Sequence, residues 1–139
     1  MMGNQKFYIG VKALISDDNG RILLLRKVPS KSASGKPSWD LPGGRIASGN
    51  IKQTLLREAK EELGQPITVG KIAFAAIPDF RLNDGKDGLM FLVYNCSVRP
   101  KARFRLSKEH DRYEWVAVKD ARKRLTFMLP PESLRELGR

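Results

Sequence analysis

Gly43-Gly44-Arg45-Ile46-Ala47-Ser48-Gly49-Asn50-Ile51-Lys52-Gln53-Thr54-Leu55-Leu56-Arg57-Glu58-Ala59-Lys60-Glu61-Glu62-Leu63-Gly64 reads as a glycine turn running into a helix. Ile51, Leu55, Leu56, Ala59 and Leu63 recur at spacings of three and four, the pattern of a helix held to a core by one face. Asn50 stands where its side chain can accept from a free N–H at the helix start. Gly64 stands where a helix stops. Glu58, Glu61 and Glu62 are i, i+3 and i+4, so they share a face. Three carboxylates that close repel one another unless a cation sits among them. Carboxylate oxygen is the hard donor that Mg2+ or Mn2+ prefers, with positions left for water and substrate phosphates. Arg57 adjoins Glu58 and precedes Glu61 by four, close enough to orient a carboxylate by a charge-assisted bond. A solvated surface helix shares the spacing of single acid–base pairs. The Gly-Gly turn, the Arg-Glu start and the Glu-Glu pair together favour metal and phosphate chemistry.

That combination resembles the Nudix box, G-x5-E-x7-R-E-U-x-E-E-x-G-U with U a bulky apolar residue. Arg57 to Gly64 match R-E-U-x-E-E-x-G, with small Ala59 at the apolar position and Gln65 at the last one. Trp39-Asp40-Leu41-Pro42-Gly43-Gly44 is similar to the approach that leads family members into the box. One element departs. Counting back eight from Arg57 gives Gly49, and a one-residue shift gives Asn50, so the first box glutamate is absent. In the family that glutamate mainly supports the box and the outer metal shell. The resemblance implies an α/β fold, a Nudix-type α/β/α sandwich with a mixed β-sheet, over a single domain spanning 1–139. It implies hydrolysis of a diphosphate linkage in a nucleoside diphosphate joined to a second group. It implies Mg2+ (or Mn2+) held by Glu58, Glu61, Glu62 and the backbone carbonyl of Gly43, with Arg57 orienting Glu58.

A second stretch, Leu106-Ser107-Lys108-Glu109-His110-Asp111-Arg112-Tyr113-Glu114-Trp115-Val116, is similar to a Ser-x-Glu-His-x-x-x-x-Trp segment. Nudix enzymes that cleave nucleoside and dinucleoside polyphosphates carry it, the asymmetric diadenosine tetraphosphate hydrolases among them. There an acid on the late loop reaches the metal or acts as general base, and Glu109 is the matching position. The water proton thus falls to Glu58 or Glu109. A turn-capping acid is the plain alternative for Glu109, and core packing the reading for Trp115. His110, the single histidine, reads as a polar loop residue bonded to backbone. Arg26 and Lys27 end a strand at a position where family members often meet phosphate, which makes Arg26 a substrate-binding candidate. Trp39 and Phe80 are candidates for stacking on a base, against core packing.

The chain has 139 residues, 41% hydrophobic, which suits one domain with one core. Its longest apolar runs fall far short of a membrane span, and its first residues show no apolar signal core. One cysteine, Cys96, excludes an internal disulfide, favours the cytoplasm and reads as an inert core residue. The net charge is +11, concentrated in residues 1–36 and 99–124, while 37–98 balance. Such a field draws polyanions: a nucleotide polyphosphate, or nucleic acid held without specificity. Strands are expected at 6–16, 21–28, 67–77, 89–98, 102–106 and 112–118. Asp17-Asp18-Asn19-Gly20 marks a hairpin, and residues 83–88 a second one. Helices are expected at 51–63 and 119–125 and after Pro130-Pro131, and residues 29–38 form a polar loop.

The substrate expected first is a nucleoside triphosphate or dinucleoside polyphosphate. ADP-ribose or a nucleotide sugar comes next. The alternative in kind is a non-catalytic nucleotide- or RNA-binding domain that lost activity with the first box glutamate. Many family members are homodimers, although the chain carries no interface signal of its own.

Overall fold

The computed structural model describes residues 3–139. Its elements are β1 (Phe7–Ile15), β2 (Ile22–Lys27), β3 (Ser38–Asp40), β4 (Gly43–Arg45), α1 (Ile51–Leu63), β5 (Thr68–Ala76), β6 (Gly88–Ser97), β7 (His110–Val116), α2 (Val118–Arg124) and α3 (Pro131–Leu134). One sheet is mixed, in the order β4-β1-β6-β5, with β1 parallel to β6 and antiparallel to β4. The other is antiparallel, in the order β3-β2-β7.

Period-two alternation divides the strands between two cores. Val11, Ala13 and Ile15 of β1, with Leu23 and Leu25 of β2, join Leu55, Ala59 and Leu63 of α1. Leu14, Ile22 and Leu24 point the other way, into a cluster with Ala121, Leu125, Leu129 and Leu137. The sheets therefore lie between α1 and the C-terminal helices, the mixed α/β sandwich that the sequence implied. Leu55 and Leu63 are fully excluded from solvent, and each contributes on the order of 2 kcal/mol. Asn50 caps α1 as expected, its Oδ1 accepting from Gln53 N at 3.1 Å. Gly64 ends the helix, its N–H donating to the Lys60 carbonyl at 2.8 Å.

Four expectations are corrected. Asp17–Gly20 do form a tight turn, but β1 and β2 meet only at the Ser16–Ile22 bridge and then enter different sheets. Each finds a better-matched partner, β1 along the whole of β6 and β2 along β7. Residues 102–106 alternate in burial but form no strand. Their backbone bonds to the end of α1 instead, Arg105 N to Leu63 O at 2.9 Å. β7 starts at His110 and stops at Val116, because Val118 already opens α2. Two short strands, β3 and β4, flank the box entrance, where only the end of the 29–38 loop and the Gly43-Gly44 turn were expected; three residues are too few to show a period.

Candidate active site

β4 lies directly against the acidic face of α1. At Gly43, φ is 147° and a Cβ would stand 1.9 Å from the Val11 carbonyl oxygen, so only glycine fits. At Gly44, a Cβ would come within 2.7 Å of the Glu58 carboxyl carbon. The Gly43 N–H donates to Glu62 Oε1 at 2.7 Å. Glycine is thus what lets a strand backbone lie on two carboxylates.

Those two acids are perturbed. Glu62 is 4% exposed. Burial pushes its carboxyl up to about 8, with Asp40 and Glu109 adding and with Lys12 and the Gly43 bond opposing. Burial also raises Glu58, helped by Glu61 and Glu109 and opposed by Arg57. Glu61 points outward, its side chain 59% exposed, and Arg57 spans the pair at 3.3 Å from Glu58 and 3.6 Å from Glu61. The missing box glutamate has a local reason. Gly49 holds φ at 85°, a left-handed conformation that glutamate adopts poorly, and it turns the chain into the Asn50 cap.

Behind Glu62 runs a buried polar chain that sequence reading missed. Lys12 Nζ lies 3.1 Å from Asp40 and 3.3 Å from the Leu41 carbonyl, with both ion-pair side chains under 10% exposed. Lys27 Nζ stands 3.8 Å from Asp40. Burial alone would raise Asp40; Lys12, the nearby His110 ring and Lys27 outweigh it and hold the carboxyl well below the usual range. His110 is no polar loop residue. Its side chain is fully buried at the start of β7, 3.9 Å from Asp40 through Nε2 and 3.6 Å from Glu62 through Nδ1. Neither ring nitrogen has a hydrogen-bond partner among the described residues. Ligand atoms of Glu62, Glu109 and His110 lie within 4.8 Å of one another.

One cavity of about 640 Å³ opens in front of this chain. Glu58, Glu62, Glu109, Lys12, Lys27 and Lys31 line it together with Trp39, Phe80, Leu82, Phe91, Phe127 and Met128, while His110 is not in the lining. Phe80 and Phe127 stack at 4.7 Å with planes 2° apart. Glu58, Glu62, Glu109, Gly43, Trp39 and Phe80 therefore line one cavity. Arg57 and Glu61 sit on the exposed side of α1, and Arg26 is not in the cavity lining. Arg26 is instead held by Asp111 at 2.8 and 3.1 Å, and its neighbour Lys27 takes the inward position because successive strand residues face opposite ways. Cys96 is buried in the core, its thiol pushed up to about 11 by burial. The donor set fits a hard divalent cation: clustered carboxylates of raised proton affinity, and an unsatisfied buried imidazole beside them.

Comparison with known proteins points the same way. A NUDIX domain model matches residues 6–136. Nucleoside triphosphatase NudI of Klebsiella pneumoniae is 30% identical over 104 residues, covering 70% of this chain and 74% of that protein. Nucleoside triphosphatase NudI of Escherichia coli O139:H28 is 29% identical over 115 residues, covering 77% and 79%. Among solved structures, a MutT protein from Methanosarcina mazei superposes with a TM-score of 0.75 at 29% identity, over 99% of this chain and 94% of that one. An Ap4A hydrolase from C. elegans, 19% identical, shares the fold at a TM-score of 0.71 over 94% and 93%. No helix among the described residues is long and apolar enough to cross a membrane.

Proposed function

The chain belongs to the Nudix family, and on that premise we propose that it hydrolyses a diphosphate linkage of a nucleoside triphosphate with Mg2+ or Mn2+ as cofactor. One observation carries the reading: a single cavity is lined both by acids and lysines and by aromatic side chains. That pairing suits a ligand with a charged tail and a flat base.

Glu58 and Glu62, with the Gly43 carbonyl, would hold the cation, joined by Glu61 once its side chain turns in from the exposed side of α1. Bound there, it supplies charge neutralisation at the phosphates and a more acidic water. Glu58 takes the proton of the attacking water: it lines the cavity, and burial raises the proton affinity of its carboxyl. Arg57 keeps Glu58 and Glu61 apart and oriented. Lys12, Lys27 and Lys31 attract the polyphosphate. Trp39, Phe80 and Phe127 offer faces to the base. The names of the NudI relatives favour a triphosphate. The Glu109 segment favours a dinucleoside polyphosphate as the second substrate to try. A nucleotide substrate and one buried cysteine favour the cytoplasm.

The test is a hydrolysis panel with Mg2+, read by chromatography, on the purified chain and on Glu61→Gln and Glu62→Gln. It includes nucleoside triphosphates, dinucleoside polyphosphates, ADP-ribose and capped RNA. Triphosphate cleavage lost in both variants, with the fold intact, is the expected result. Retained turnover in both variants would sink the metal assignment. Nucleotide binding with no cleavage of anything would make this a binding module.

A further inference from the structure

We propose that His110 is itself a metal ligand, through Nδ1, and that Asp40, His110 and the cation form a carboxylate–histidine–metal relay that favours Mn2+ over Mg2+. The starting point is an imbalance. The His110 side chain has no solvent exposure, yet neither nitrogen is hydrogen-bonded among the described residues. Buried polar atoms in native proteins have partners, and an exception calls for one, an ion, a water or a neighbouring group.

The surroundings say which one. Nε2 faces Asp40 Oδ2 at 3.9 Å, and Nδ1 faces Glu62 Oε2 at 3.6 Å. A neutral imidazole has one N–H and one lone pair. Asp40, charge-paired with Lys12 and Lys27, is the stronger claimant for the N–H. The lone pair on Nδ1 then faces Glu62, beside Glu109, whose ligand atom lies within 4.8 Å of the other two. Metal-bound histidines almost always donate their other N–H to a carboxylate, which fixes the ring and raises its basicity. Asp40 is placed to receive it.

Spacing agrees. Donors around one small divalent cation, with bonds near ~2.1 Å, stand about 3 Å apart. The three ligand atoms lie within 4.8 Å of one another, so a small inward movement of Glu109, exposed at the mouth, closes the set. Glu62 is free to serve on this side because Gly43 occupies only its Oε1. Imidazole nitrogen is a better donor to Mn2+ and later transition ions than to Mg2+, which selects oxygen.

The inference concerns the site of the proposed reaction but is read without nucleotide, so failed hydrolysis and failed nitrogen ligation are separate results. Metal-stripped, untagged full chain is titrated with Mn2+ and with Mg2+ by calorimetry, and bound Mn2+ is examined by electron spin-echo spectroscopy. Because the chain has a single histidine, protein grown with 15N-histidine assigns any nitrogen coupling to His110 without mutation. The expected results are a nitrogen modulation that changes with the label, and Mn2+ bound about tenfold or more tighter than Mg2+. His110→Gln should erase the modulation and lower Mn2+ affinity about tenfold or more, with Mg2+ affinity moving less than about threefold. A wild-type spectrum without nitrogen coupling overturns the proposal even if that variant fails to fold. So does an Mn2+ to Mg2+ ratio that His110→Gln leaves unchanged.

Discussion

Lys12→Met tests the buried network most directly. Lys12 and Asp40 are 7% and 8% exposed in their side chains and 3.1 Å apart. At an effective dielectric of ~20, that separation is worth about 5 kcal/mol of attraction. Methionine has similar bulk, so packing is nearly kept, but Asp40 keeps its desolvation without its nearest counter-charge. Lys27 at 3.8 Å and His110 at 3.9 Å return part of the loss. The expected destabilisation at pH 7 is about 3 kcal/mol, the low end for breaking a buried pair, or a Tm lower by about 10 °C. The pH dependence carries a sign. In the wild type Asp40 titrates below its ordinary 3.8, so its stabilisation is complete above that value and fades as the pH falls through the folded range. In Lys12→Met burial dominates and pushes Asp40 upward, so the penalty stands at neutral pH and is relieved by acid. Urea unfolding curves of the two proteins should therefore converge below pH ~4. Lys12→Met/Asp40→Asn should recover most of the loss, because asparagine still accepts from Leu41 N and carries no charge to leave unpaired. A Lys12→Met within about 1 kcal/mol of wild type, or a double variant weaker than the single one, refutes the reasoning.

Gly44→Ala places a methyl 2.7 Å from the Glu58 carboxyl carbon; kcat should drop about 100-fold while the melt changes little, since a displaced base loses its alignment. Unchanged kcat would remove Glu58 from the reaction. Phe127→Ala should raise KM about tenfold and leave kcat nearly alone, the loss of one stacking face; a kcat effect instead would argue against base binding there. Arg26→Ala should leave kcat/KM within about twofold, because an exposed ion pair holds Arg26 outside the cavity lining; a large KM rise would return it to the phosphate site. Mg2+ and a non-hydrolysable triphosphate analogue should together raise Tm by more than the sum of their separate shifts, measured by scanning fluorimetry. Additive shifts would deny any coupling between them.

What the sequence made legible was local. The face carrying Glu58 and Glu62, the Asn50 cap and the Gly64 stop all follow from one helical period, which neighbouring residues set by themselves; Glu61, expected on that face, turns to the exposed side. The alternation in residues 102–106 was real, yet alternation states only which side chains turn inward. It does not say whether the backbone bonds to a strand or, as here, to the end of α1. The Asp17–Gly20 turn was equally real, but the partner strands of β1 and β2 were a matter of long-range competition. The Lys12–Asp40–His110 chain joins three distant segments, so no window of sequence contains it. A signal was nonetheless present: Lys12 interrupts the apolar run Val11, Ala13, Leu14, Ile15, and a cation inside a buried strand requires a buried anion. Phe127 had no comparable mark, since a lone aromatic after a short helix fits core and site alike.

The charge pattern explains why cation and nucleotide should depend on each other. The chain carries +11 overall, yet its cavity brings Glu58, Glu62 and Glu109 together with Lys12, Lys27 and Lys31. A polyphosphate entering alone gains the lysines but meets three acids. A cation entering alone gains the acids but meets the lysines. Bound together, each cancels the charge that opposes the other, so each raises the other's affinity by the same factor. The protein alone carries the strain of this arrangement. Glu62, pushed up to about 8 by burial, is penalised in its charged form increasingly as the pH rises from its ordinary 4.5 toward 8, and His110 waits beside it unsatisfied. A ligand that binds the folded state alone returns that stability in proportion to its occupancy. The site therefore carries an electrostatic cost in the protein alone that metal and nucleotide, arriving together, offset.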